Sequence, residues 1–315
     1  MTKINSNPKR TIQTVLLTGP TGAIGVALCE LLLRENITVY AAVRPDSPRK
    51  NALPVGVRVV ECDLSQLGCL PEFLPNVRAD AFFHLAWAST IGAGRNDMDA
   101  QIRNVQSTID ACRAAKALGC SVFVGAGSQA EYGRCDYALT PETPCFPENG
   151  YGMAKLCAGQ MSRVECEKLG IVHIWPRILS VYGPHDGKNA MIPQVIWTLL
   201  AGKKPALTAG EQVWDYLYAE DAARALFALA HSGRDGEVYP LGSGNARPLR
   251  EYIELLRDTI DPALPLGFGE VPYGEMQVMH LEADLSALKK DTGFVPETPF
   301  QTGIRETIDW ITKHE

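Results

Sequence analysis

The stretch Thr14-Val15-Leu16-Leu17-Thr18-Gly19-Pro20-Thr21-Gly22-Ala23-Ile24-Gly25 decides how the rest of the chain is read. Thr14 to Leu17 is a short apolar run, fit for a buried strand. Gly19, Gly22 and Gly25 follow at spacings of three, and a helix pattern runs from Ala23 to Arg34. Glycine lets the backbone turn tightly and come close to a pyrophosphate. The helix N-terminus behind it presents unpaired N–H groups and a positive dipole end to that anion. A glycine triplet alone is weak; between the first strand and first helix of an alternating series it is a dinucleotide fingerprint. Gly19, Thr21, Gly22, Ala23, Ile24 and Gly25 are therefore expected to touch a cofactor. A glycine-rich turn with no ligand is the competing reading.

Working outward, strand patterns cover Thr38 to Val43, Val57 to Glu61, Ala81 to Leu85, Ser121 to Val124 and Ile171 to Trp175. Helical stretches separate the later ones, around Asp99 to Leu118 and Tyr151 to Lys168. Strands alternating with helices imply βαβ units and a parallel sheet covered on both faces. The expected fold is α/β: a Rossmann-like doubly wound parallel sheet with a smaller α/β C-terminal substrate lobe. Beyond Pro176 the rhythm changes at the turn Tyr182-Gly183-Pro184. Helix patterns follow over Ala190 to Ala201, Ala219 to Ala230, Leu249 to Ile260 and Gln301 to Lys313, with a strand at Val238 to Leu241. The expected division is a dinucleotide-binding domain over 11–176 plus about 213–243, and a substrate lobe over about 177–212 and 244–315.

Composition narrows the function classes. The chain has 315 residues, 46% of them hydrophobic and 21% charged, which excludes disorder. Thirty Lys and Arg against 36 Asp and Glu give a net charge of −6, a poor basis for nucleic-acid binding. No apolar run approaches the ~18 residues of a membrane span. Nine cysteines, an odd number with no Cys-x-x-Cys pair, suggest neither a disulfide framework nor a metal site. Reduced thiols point to the cytoplasm. Met1 to Arg10 is polar and reads as a loose tail without an apolar signal-peptide core.

Two further places carry chemistry. The end of the second strand, Tyr40-Ala41-Ala42-Val43-Arg44, lacks the carboxylate that would bind ribose hydroxyls. Arg44 can instead receive a 2′-phosphate, so NADP(H) is favoured and NAD(H) is the alternative. A solvated arginine is the bland reading. Asp63, after the third strand, is placed to accept from the adenine amino group, although a bare Asp there more often caps a helix. Tyr151 and Lys155, at i and i+4, share a helix face. A nearby ammonium lowers a tyrosine's pKa and lets it act as acid or base. Ser128, at the end of the fifth strand, is placed to bond the oxygen that the tyrosine protonates.

With these motifs in order, the chain resembles the extended short-chain dehydrogenase/reductases of the nucleotide-sugar epimerase/dehydratase family, from about Thr14 to Trp310. The resemblance implies Ser128, Tyr151 and Lys155 as the catalytic residues. His84-Leu85-Ala86-Trp87 resembles the cofactor segment after strand four, and Asn104 the helix Asn that helps position the lysine. Leu64, Leu85, Ala86, Trp87 and Asn104 thus join the cofactor set. Gln129, Arg177, Ser180, His185 and Trp214 fall at substrate positions. The partner implied is a nucleotide-linked sugar, and the two long helices near Asp99 and Tyr151 are those through which relatives form homodimers.

Departures sort the branches. The dehydratases' Asp-Glu pair after the catalytic Ser/Thr is here Gln129 and Ala130, which argues against dehydration. Glu131, one place on, would face elsewhere on a regular strand. The Cys-His pair of the epimerase/reductase type keeps only His185, since Ala130 stands at the Cys place. The usual diphosphate-binding Arg before the Asp-Tyr segment is Trp214, with Arg247 and Arg250 as substitutes. An NADPH-dependent reductase of a nucleotide-linked 4-keto-(6-deoxy)hexose and a 4-epimerase recycling its cofactor both remain, the first favoured by Arg44. A non-catalytic dinucleotide sensor is the remote alternative.

Overall fold

The structure, a computed structural model, describes residues 9–314. Most of the tail expected over Met1 to Arg10 lies outside the described residues. Its last residue is not loose. The Arg10 N–H donates to the His231 carbonyl at 2.8 Å, and its guanidinium donates to the carbonyls of Ala230 and Gly233 at 2.7 and 2.6 Å.

Strands β1 (Thr14–Thr18), β2 (Thr38–Val43), β3 (Arg58–Glu61), β4 (Ala81–His84) and β5 (Val122–Gly125) alternate with helices α1 (Ala23–Arg34), a short α2 (Leu70–Phe73) and α3 (Met98–Ala117). Next come β6 (Gly127–Ser128), α4 (Gly150–Leu169), β7 (Val172–Ile178) and β8 (Ser180–Tyr182). Then follow α5 (Met191–Leu200), β9 (Ala206–Leu207), β10 (Val213–Trp214), β11 (Tyr216–Tyr218), α6 (Ala219–Ser232), β12 (Glu237–Leu241), β13 (Arg247–Pro248), α7 (Leu249–Ile260), β14 (Gly267–Phe268), α8 (Ser286–Thr292) and α9 (Phe300–His314).

The main sheet runs β12-β7-β5-β4-β1-β2-β3, and every neighbouring pair is parallel. Its order reverses between β1 and β4, where Thr18 pairs with His84. Ligands of open parallel sheets bind in the crevice outside the strand ends at such a reversal. The α/β doubly wound fold expected from the alternation is the fold observed. β7 is longer than its apolar run suggested: Pro176, Arg177 and Ile178 continue it in register with β12.

Local chemistry sets the helix ends nearest the crevice. Asp97 caps α3 by accepting from Ala100 N–H at 3.1 Å, and Asn149 caps α4 by accepting from Gly152 N–H at 2.9 Å. Gly170 ends α4 in the left-handed region, at φ 67°.

Apolar side chains fill both faces of the sheet. Val15, Leu17 and Phe83 meet α1 and α6 through Leu28, Leu32, Ala222 and Leu226. Leu16, Phe82 and Phe123 meet α3 on the other face through Ala111, Cys112 and Ala115. A separate core joins Tyr182, Ile196, Tyr252, Ile253, Phe300 and Ile304 from β8, α5, α7 and α9. Two fully buried acids anchor the chain's later segments. Asp215 accepts from Ser243 N–H and Oγ–H, both at 2.6 Å, and from Gly244 and Ala283 N–H at 3.0 and 3.2 Å. Asp221 accepts from Arg224 and from Thr298 N–H, at 2.6 and 2.7 Å. No described helix is long and apolar enough to cross a membrane.

Candidate active site

The crevice at the β1/β4 reversal is floored by the glycine loop. Gly19 has φ +71°, and a Cβ there would lie 2.7 Å from Ala86 N. A Cβ on Gly25 would lie 2.1 Å from the Gly19 carbonyl oxygen, so only glycine lets α1 start this close to the loop. Gly22 caps α1 with no side-chain acceptor, which leaves first-turn N–H groups for an anion.

One cavity of ≈ 310 Å³ lies over this loop and is walled by Trp87, Thr90, Ser128, Tyr151, Lys155 and Asp186, among others. Ser128, Tyr151 and Lys155 are therefore brought together. Lys155 is 3% exposed and donates to the Ala126 carbonyl at 2.6 Å. Burial pulls its ammonium down to about 7, and the charge of Glu131 opposes that. Burial raises the Tyr151 phenol, while the Ser128 hydroxyl and Arg95 pull it back. A buried ammonium that can shed its proton near neutrality, beside a phenol and a hydroxyl, is a proton-relay arrangement.

The cavity shares Gly19, Gly22, Leu85 and Trp87 with a second one of ≈ 610 Å³ that runs to the end of β2. Thr21, Ala86, Leu64, Arg44 and Arg49 line this second cavity. Arg49 was not singled out from the sequence. Its spacing of five from Arg44, in a loop that doubles back, was the available signal.

The residues present fit a dinucleotide. The glycine cradle and free helix end suit a pyrophosphate, Leu64 and Leu67 offer an apolar wall, and two exposed arginines stand at the far end. Among the described residues, no group of three His, Cys, Asp or Glu is placed to hold a metal ion.

Several sequence-derived placements change. Asp63 is a cap: its Oδ1 accepts from Ser65 N–H and Oγ–H at 3.0 and 2.7 Å, which lowers its pKa, and Leu64 rather than Asp63 walls the cleft. The Asn104 side chain does not engage Lys155. It clamps Ala88, accepting from its N–H at 3.0 Å and donating to its carbonyl at 2.9 Å, and so shapes the loop after β4.

Arg177 is the clearest correction. It is 3% exposed and its Nε donates to Glu131 Oε2 at 2.6 Å, with the guanidinium 4.4 Å from the Tyr132 ring centre. Glu131 also accepts from Ser128 N–H at 2.8 Å and Trp175 Nε1–H at 3.0 Å. The turn after Ser128 is a 3-10 capping box rather than strand, so Glu131 swings into the interior, and Arg177 on β7 meets it there.

His185 and Gln129 also stand aside from the cavity over the glycine loop. His185, at φ 64°, packs on Trp310 with ring centres 4.5 Å apart, in a neighbouring groove. Its left-handed backbone hands the cavity to the next residue, Asp186, whose carboxyl burial pushes up to about 6. Asp186 carries no signal in the sequence beyond its place next to His185. Gln129 is half-buried on the capping-box turn. Trp214 donates its Nε1–H to Ser180 Oγ at 2.8 Å and walls a separate, mainly apolar cavity of ≈ 320 Å³ with Tyr216, Leu207 and Thr208. Arg247 is its cross-strand partner.

Comparison with known proteins agrees with this fold. The chain is 29% identical over 188 residues to a dTDP-glucose 4,6-dehydratase of Escherichia coli, covering 56% of this chain and 52% of that one. It is 25% identical over 340 residues to the Neisseria gonorrhoeae enzyme of the same name, covering 95% of each. Among solved structures, the UDP-glucose 4-epimerase of Thermus thermophilus in complex with NAD superposes with a TM-score of 0.86 at 21% identity, covering 96% of this chain and 100% of that one. Residues 15–242 match the NAD dependent epimerase/dehydratase family, and the chain belongs to that family.

Proposed function

We propose that the protein reduces the ketone of a nucleotide-linked 4-keto-(6-deoxy)hexose with NADPH in the cytoplasm. The observation that carries the reading is the convergence of Ser128, Tyr151 and Lys155 on one cavity that continues to Arg44 and Arg49. The bound dinucleotide would supply the hydride. Tyr151 gives its proton to the carbonyl oxygen, Ser128 holds that oxygen, and Lys155 steadies the cofactor ribose and feeds charge to the phenol. Gly19 to Gly25 hold the pyrophosphate. Arg44 and Arg49 together suit a 2′-phosphate better than a bare ribose.

Dehydration lacks its acid–base pair. Gln129 and Ala130 carry no carboxylate, and Glu131 is held by Arg177 and Trp175. A diphosphate handle has a candidate in Arg247, whose buried Nε finds no acceptor and whose guanidinium stands 4.6 Å from the Tyr252 ring centre. Arg250 is a weaker one, since it donates to Ala209 and lies over Phe268. The apolar cavity beside Trp214 would take the nucleobase. Residues 11–176 with about 213–243 would form the cofactor domain, and 177–212 with 244–315 the substrate lobe. Nine free cysteines suit a reducing compartment.

The deciding experiment offers NADPH and NADH separately with dTDP- and UDP-linked 4-keto-6-deoxyhexoses, and unreduced nucleotide hexoses in parallel. Stoichiometric loss of reduced nicotinamide, faster with NADPH, supports the proposal. No net consumption, with an isomerised nucleotide hexose seen by NMR, makes the protein an epimerase.

A further inference from the structure

We infer that Arg95 is a positioning residue for Tyr151, holding the phenol toward its ionised form from across the face of the ring. The inference rests on the role proposed above for Tyr151, but its test does not need turnover. The guanidinium carbon of Arg95 lies 4.8 Å from the centre of the Tyr151 ring. A phenolate spreads negative charge into its ring, so a cation over the face stabilises it more than it stabilises the neutral phenol.

The placement is built into the chain. Arg95 sits on a 3-10 turn, Gly92–Asn96, that is tied at both ends. Gln101 Nε2 donates to the carbonyls of Ser89 and Gly94, both at 3.0 Å. Asn96 Oδ1 accepts from the N–H of Gly150, the residue before Tyr151, at 2.9 Å. The turn and the tyrosine's helix are thereby pinned together. Arg177 and Arg113 pair with acids, Glu131 and Glu165. The Arg95 side chain makes no ion pair or hydrogen bond among the described residues, and its cation–π contact is with Tyr151.

The charged groups around Tyr151 divide by sign. Glu131 opposes its ionisation; Arg95 favours it; Lys155 stands 5.9 Å from the ring centre, and Asp186 walls the same cavity. Lys155 sheds its proton near neutrality and Asp186 gains one somewhat below, so the charge of each varies over the working range. A guanidinium keeps its charge throughout. Arg95 therefore supplies a positive field on the phenol that stays constant with pH.

The test uses the full chain with NADP⁺ bound and tyrosine labelled with carbon-13 at Cζ. The Tyr151 signal is assigned among the ten tyrosines by its loss in Tyr151→Phe. The ionisation midpoint is then compared in the unaltered protein, Arg95→Lys and Arg95→Gln, with Arg95→Met where the glutamine variant does not fold. The neutral variants are expected to raise the midpoint by about one pH unit, a tenfold loss of phenolate at fixed pH, and the lysine variant to recover most of it. Equal midpoints in all of them overturn the inference. So does a raised substrate KM with an unmoved midpoint, which would make Arg95 a substrate anchor. A moved midpoint in a protein that reduces no ketone would sink the proposed reaction and leave the Arg95 assignment standing.

Discussion

The Lys155 ammonium stands 3.8 Å from the centre of the Trp87 indole and donates to the Ala126 carbonyl at 2.6 Å, so the loops after β4 and β5 grip it from two sides. It makes no ion pair with a described carboxylate, and burial holds it at about 7. The indole face thus adds to the Ala126 carbonyl as partial compensation for a buried charge. Trp87→Leu removes a contact of about 0.5–2 kcal/mol, so turnover at pH 7 is expected to fall roughly 2- to 30-fold, with Trp87→Phe intermediate. A pH profile of kcat in the two variants checks this. An unchanged profile would mean that the indole only shapes the cavity.

Tyr151→Phe removes the proposed acid without removing the ring. Cofactor affinity is expected to stay within a few-fold, while turnover falls by about 10²–10⁴, the usual contribution of general acid catalysis. Equilibrium dialysis of NADPH beside a single-turnover assay separates the two. Ser128→Ala should cost less than Tyr151→Phe, because the phenol would still be present. Ser128 Oγ also accepts from Ala130 N–H at 3.2 Å, so a small loss of stability accompanies the change.

Glu131→Gln tests whether the acid after Ser128 is structural. Glu131 is 0% exposed and faces Arg177. Leaving one buried charge unpaired costs about 3–5 kcal/mol. The urea midpoint should therefore drop sharply in Glu131→Gln and also in Arg177→Met. A variant that keeps its stability but loses turnover would instead move Glu131 into the chemistry.

This pair also marks where sequence reading ends. Tyr151 and Lys155 were legible because an i, i+4 pair on one helix faces one way whatever packs around it, and the glycine loop because strand, turn and helix follow one another in the chain. Helix α1, strand β2 and helix α7 were bounded to the residue for the same reason: apolar period and punctuation are local. Glu131, Asp186, Arg49 and Arg95 were not legible. Each depends on a turn between elements: a capping box that ends the strand at Ser128, a left-handed His185, the loop after β2, and a 3-10 turn pinned to the next helix. Arg177 looked like a substrate ligand because its partner lies 46 positions away in the chain.

Self-association through α3 and α4 is the proposed assembly. On these helices Met98, Ile102, Met153, Met161 and Val164 are 52%, 67%, 52%, 49% and 41% exposed, an apolar set shared by the two. Two charged replacements, Ile102→Lys and Met153→Glu, are expected to convert a dimer to a monomer in sedimentation velocity with the helical signal unchanged. A chain that sediments as a monomer before any replacement would overturn the proposal.

Arg44 and Arg49 are predicted to act together on the cofactor. The double variant Arg44→Ser, Arg49→Ser should weaken NADPH by about 10²- to 10⁴-fold, since each charge-assisted bond to a phosphate is worth roughly 1.5–3 kcal/mol and two are lost. NADH, which lacks the phosphate, should be affected less than threefold. Fluorescence titration of both cofactors reads the ratio. Equal losses for the two would show that the arginines act on the shared pyrophosphate.

Stability should rise with pH through the acid range. His84, between Thr18 and Thr108, and His173, stacked between Phe123 and Trp175, are buried and pushed down by desolvation to about 3 and about 4. Between these values and the ordinary histidine value near 6.5, the unfolded chain binds more protons than the folded one, so stability falls as pH drops. Asp186 acts in the opposite sense over its own window, from the usual carboxylate value up to about 6, because its folded carboxyl holds a proton longer. Glu30, raised by burial, acts with Asp186, while Asp63 and Asp284, lowered by their hydrogen bonds to Ser65 and Ser286, act against them, so the two histidines leave a net loss on acidification. His173→Phe should make that loss shallower by up to about 1.4 kcal/mol per pH unit, since a phenyl ring fits between its aromatic neighbours and takes up no proton. Urea unfolding at a series of pH values from 7 to 4.5 measures the slope; equal slopes in the two proteins would mean that His173 does not stay neutral in the fold.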